Sequence, residues 1–139
     1  MSQFLSADAI RAEFAKFQTA YGDEAGTKWR ARYHATVDRV RQAPVADWMT
    51  EAFQRLLWED GGVSGIGPGS SVSVTGGYAD KDLAAFLLEL RDNGLPEDTQ
   101  QAALVLQGAY DEILSRVRPK HTEKRPRARI ARLLAALYP

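Results

Sequence analysis

The chain contains no cysteine. That absence excludes disulfides, thiolate metal sites and a cysteine nucleophile together, and it fits a reducing compartment. Histidine is nearly absent too: His34 and His121 stand far apart, with no H-x-x-x-H or H-E-x-x-H spacing, so no metal is expected. No stretch approaches the ~18 apolar residues of a membrane span, and Met1 to Ser6 offers no basic segment leading into an apolar run. The expectation is a cytoplasmic protein without a membrane partner.

Net charge is also missing, at a formal value of zero, but this neutrality is a cancellation. Between Arg116 and Arg132 the cations Arg116, Arg118, Lys120, Lys124, Arg125, Arg127, Arg129 and Arg132 meet a single acid, Glu123. Between Asp47 and Glu112 twelve carboxylates meet only Arg55, Lys81 and Arg91. Charge segregated in this way steers an anionic partner to one side, and nucleic acid has enough charge to profit from it. With 139 residues and 45% hydrophobic composition, the chain suits one ordinary globular core. It reads as a single helical domain over 1–139, or as the N-terminal domain of a larger protein.

Helical periodicity dominates. Ile10, Phe14, Phe17 and Tyr21 recur at i, i+4, i+7 and i+11 behind Ser6, which predicts a first helix from Ala7 to Tyr21, with Leu5 and Ile10 as a hydrophobic staple. Gly22 and Gly26-Thr27 bracket a turn. Trp29, Tyr33, Val37 and Val40 mark a second helix that Pro44 ends, and its remaining faces carry Lys28, Arg30, Arg32, Arg39 and Arg41 against Asp38 alone. A third helix, capped by Asp47, places Met49, Phe53, Leu56 and Leu57 inward and stops near Asp60-Gly61-Gly62. Ser71 to Thr75 alternates and suits one short strand or hairpin. Asp80 caps a fourth helix that Asn93-Gly94 terminates, and Pro96 opens a fifth that Pro119 closes. Ile130, Leu133, Leu134 and Leu137 define a sixth, with Arg125, Arg129 and Arg132 off its stripe and facing water or a ligand. The fold class is mainly α, about six helices with one glycine-rich excursion.

That excursion runs from Gly61 to Ser71. Glycines let consecutive amides converge on a phosphate, yet no lysine follows Gly69 as a P-loop requires, and a helix precedes the loop where a dinucleotide fingerprint needs a strand. The loop reads first as a structural turn and second as a contact to a phosphate backbone through Gly65, Gly67, Gly69 and Ser70. A small-molecule nucleotide site comes last. Trp29, Tyr33, Trp48 and Trp58 could stack on a base, but aromatics at helical spacing are usually core. Trp58, beside Glu59 and the glycine loop, is the best candidate among them for a site. The serines lack a G-x-S-x-G elbow, the paired carboxylates read as helix-end charges, and no catalytic residue or cofactor is indicated.

Leu57 to Gly69, Ala109 to Pro119 and Arg129 to Pro139 resemble the region ahead of the AAA ATPase module in some bacterial McrB-like restriction proteins. The resemblance implies a DNA-recognition domain, often for modified DNA, whose nucleotide-driven motor and nuclease lie elsewhere. Many such domains mix α and β structure, and the helical pattern here departs from them. The combined expectation is a non-catalytic DNA-binding module of a bacterial defence or DNA-processing protein, with a motor or nuclease as a further partner. Its phosphate clamp would comprise Arg116, Arg118, Lys120, Lys124, Arg125, Arg127 and Arg129, assisted by Arg30, Arg32, Arg39 and Arg41. The alternative is a helical interaction or oligomerisation adaptor whose acidic and basic faces pair with each other.

Overall fold

The computed structural model describes all residues except 1–5, 22–23, 60–61 and 64–71, and no side chain is described for 21–27. Seven α-helices follow one another: α1 (Ala7–Tyr21), α2 (Glu24–Gln42), α3 (Val45–Trp48), α4 (Glu51–Trp58), α5 (Lys81–Asn93), α6 (Thr99–Val117) and α7 (Arg127–Leu137). A short 3₁₀ turn, Gly77–Ala79, precedes α5. The fold is mainly α, and the described residues contain no strand. Val72 to Val74 lack regular structure, so the expected strand is absent there; Ser71 lies outside the described residues.

The chain divides into two compact units, Met1–Ala35 and Thr36–Pro139. In the first, Ser6 caps α1 by accepting a hydrogen bond from the Ala9 amide at 3.2 Å. Helix α2 begins at Glu24, so Gly26 and Thr27 belong to its first turns and form no bracketing turn. Trp29 and Tyr33, one helical turn apart, stack with ring centroids 5.5 Å apart. Trp29 is not core, since half of it is open to water.

The second unit holds the core. Trp48, Phe53, Leu57 and Trp58 from α3 and α4 are buried, as are Leu83 and Leu87 of α5, Ile113 and Val117 of α6, and Ile130, Leu133 and Leu137 of α7. Each fully buried side chain of this size contributes about 1.5–3 kcal/mol. Trp48 is also fixed by direction, its indole N–H donating to the Ala84 carbonyl at 2.8 Å.

Three boundaries differ from the sequence reading. The expected third helix is split after Trp48, and α4 is capped by Thr50, whose hydroxyl accepts from the Phe53 amide; Asp47 lies inside α3. Helix α6 starts at Thr99 under an Asp98 cap, three residues beyond Pro96, because a side-chain acceptor for the Gln101 amide outweighs a favourable proline φ. Asp80 caps α5 as expected, and Gly94 ends it at φ 66°, a conformation that favours glycine. A cis peptide joins Arg118 to Pro119.

Two arginines close helix ends. Arg91 donates to the carbonyls of Val40 and Ala43 at 3.0 and 2.8 Å, satisfying the last turn of α2. Arg41 does the same for α7, reaching the carbonyls of Ala135, Ala136 and Tyr138. A cation at a helix C-terminus also meets the negative end of its dipole.

Candidate functional site

The basic segment at the end of the chain separates into cations committed to the fold and cations open to solvent. Arg129 is the clearest of the first kind. Its side chain is 2% exposed, donating from Nε to the Val72 carbonyl at 2.9 Å and from Nη1 to the Trp58 carbonyl at 2.7 Å. It therefore ties α7 to the end of α4 and to the segment before the 3₁₀ turn, and it cannot face a ligand as the sequence suggested. The signal was present: Arg129 lies four residues before Leu133 and eight before Leu137, on the buried face of α7. Its guanidinium is tolerated there because the carbonyls replace lost water.

Other expected contacts are engaged as well. Arg41 closes α7, and Arg39 lies over the Phe53 ring, 5.5 Å from its centroid. Arg116 pairs with Glu112 at 2.9 Å and stacks on Phe86; Arg118 donates to the Glu123 carbonyl. Lys120 lies 3.0 Å from Asp80. Arg132 is half-buried, while Arg30 and Arg32 are exposed on the first unit. Gly65, Gly67, Gly69 and Ser70 lie outside the described residues.

Lys124, Arg125 and Arg127 remain exposed together around Pro126. Their position matters electrostatically. Helix α7 begins at Arg127 with no side-chain cap and no acid in its first turn, so its dipole presents positive charge where the three side chains already do. These like charges repel, and an anion placed among them relieves the repulsion while accepting from the first amides of the helix.

A polar cluster anchors the loop that leads into α7. His121 lies between two acceptors, Nδ1 3.0 Å from the Thr75 carbonyl and Nε2 2.8 Å from Asp80 Oδ2. Its backbone completes the link, since the Thr75 amide donates to the His121 carbonyl at 3.0 Å. Burial alone would push the Asp80 carboxyl up, but hydrogen bonds from His121, the Leu83 amide and Lys120 prevail and hold it at about 2. With both ring nitrogens occupied, His121 offers no free lone pair for general base chemistry. The described residues contain no group of three metal-ligating side chains, and no helix among them is long and apolar enough to cross a membrane.

One cavity of about 500 Å³ opens beside this cluster, lined by Trp58, Glu59, Thr75, Gly76, Tyr78 and Arg129 among others. Trp58 borders it from the core, 2% exposed and packed under Gly77. Arg55 lies over Tyr78, 3.6 Å from the ring centroid, and pairs with Glu59. The cavity therefore has an aromatic wall and a charged rim, but its guanidinium at Arg129 already serves Val72 and Trp58. Comparison with family models, with curated proteins and with solved structures gives no match.

Proposed function

We propose that the chain is a non-catalytic nucleic-acid-binding module, with DNA as its partner, and that its contact surface is the loop 122–127 with the first turn of α7. The observation that carries this reading is the exposure of Lys124, Arg125 and Arg127 around an uncapped, acid-free helix N-terminus. Each offers its charge to a phosphate, and the two arginines add bidentate donors. The surface is smaller than the clamp expected from composition, since Arg129 and Arg41 serve the fold. Arg118 and Lys120 flank it and anchor the loop. By its likeness to McrB-like recognition domains, the module would serve a bacterial defence or DNA-processing protein whose motor or nuclease lies elsewhere.

Fluorescence anisotropy with labelled duplex, methylated duplex and single-stranded DNA at low salt tests the proposal. Binding by the parent chain, lost in Arg125→Ala/Arg127→Ala with an unchanged melting temperature, supports it. Equal binding by parent and variant removes this surface, and no binding by the parent at low salt removes the function.

A further inference from the structure

Two exposed apolar surfaces in this chain carry charges of opposite sign. The first belongs to the unit Met1–Ala35, where Ile10 and Phe14 of α1 are 55% and 59% exposed and Trp29 of α2 is 52% exposed. Lys28, Arg30 and Arg32 surround Trp29 in sequence, all three exposed, and no acid occurs between Glu24 and Asp38. This surface is aromatic and basic.

The second is the first half of α6. The buried residues of this helix, Ala109, Ile113 and Val117, all lie in its second half, whereas Leu104 is 74% exposed and Val105 37%. One turn beyond Leu104, a Cβ built on Gly108 would meet nothing within 4 Å, so an open notch adjoins the two apolar side chains. Asp111 and Glu112 lie two turns beyond Leu104 and Val105 on the same faces. From Asp92 to Ser115 there are five carboxylates and no lysine, arginine or histidine. This surface is aliphatic, notched and acidic.

We infer that the aromatic, basic face of one copy docks on the first half of α6 of a second copy. Three features select this occupant. Projecting rings suit a notch left by a missing side chain, burial of both sets of apolar side chains removes surface that a monomer leaves in water, and cations meet carboxylates across the contact. A nucleic acid is repelled from α6 by its carboxylates. A contact between two copies of the same face would instead set Lys28, Arg30 and Arg32 against themselves. The contact joins different faces, so two copies that exchange it reciprocally form a closed dimer. This inference is independent of the nucleic-acid reading.

Sedimentation velocity of the full chain without nucleic acid, over about a hundredfold range of concentration, tests it. The parent chain is expected to associate. Phe14→Glu and Gly108→Gln should each weaken association by at least about tenfold, the second while keeping α6 intact, because glutamine has a higher helix propensity than glycine. An equimolar mixture of the two variants should form a one-to-one heterodimer, since each retains the face that the other lacks. A monomeric parent throughout the range overturns the inference. So does undiminished association of Gly108→Gln, and so does a mixture that stays monomeric.

Discussion

His121 Nε2 stands 2.8 Å from Asp80 Oδ2, with both side chains under 10% exposed. Asp80 thus has two tasks: Oδ1 caps α5 through the Leu83 amide, and Oδ2 accepts from His121 and Lys120. The capping carboxylate is thereby joined to the loop that presents the exposed cations. A local signal for helix initiation becomes a long-range tie across 41 residues.

Acid should undo that tie in a defined window. The Asp80 carboxyl is held at about 2 in the folded chain against a model value of 3.8, so its contribution is complete above about pH 4 and disappears as pH falls toward 2. The expected loss is about 1–2 kcal/mol. Urea unfolding at a series of pH values should show this acid limb, and Asp80→Asn, which can still cap α5, should flatten it.

Removing the buried guanidinium should damage the fold rather than a binding surface. Arg129→Ala leaves the Val72 and Trp58 carbonyls without their donor and opens space beside the core, costing about 3–4 kcal/mol. Arg129→Lys should recover only part of this, because one ammonium cannot reproduce the planar pair of donors. Arg125→Ala, at an exposed position, should stay within about 0.5 kcal/mol of the parent. Denaturant midpoints compare all three.

Arg41 offers a separate check. Arg41→Ala should destabilise the chain by about 1–2 kcal/mol through the three carbonyls it leaves at the end of α7. Its DNA affinity, measured well below the melting temperature, should not fall. A drop in affinity without a change in stability would return Arg41 to the binding surface.

Gly62 should tolerate no side chain. A Cβ there would lie 2.1 Å from the Leu56 carbonyl oxygen, a backbone atom that accepts from the Val63 amide. Gly62→Ala is expected to cost at least about 2 kcal/mol in thermal or chemical unfolding. Gly108→Ala, with open space around it, should instead stabilise α6 by up to about 1 kcal/mol.

Salt should report how many phosphates the proposed surface neutralises. Three exposed cations predict a log-log slope near about −3 on duplex DNA, at roughly −0.9 per phosphate. The full clamp of eleven cations expected from composition would give a far steeper line. Affinity measured across salt concentrations separates the two.

The sequence by itself determined the helices, because period, caps and stops are local. Ser6 and Asp80 cap where their hydroxyl and carboxylate can meet amides three residues ahead, and Gly94 ends α5 because it adopts a positive φ without penalty. It also showed that charge is segregated along the chain. Tertiary structure alone decided what that charge does. The apolar stripes of α1 and the start of α6 look like core in sequence, yet Phe14 and Leu104 are exposed, since periodicity marks a face without naming what covers it. Arginine looks like surface, yet Arg129, Arg91 and Arg41 bind carbonyls contributed by other elements. Those acceptors lie 48 to 97 residues away in the chain, and only the packed fold brings an unpaired carbonyl within reach of a guanidinium.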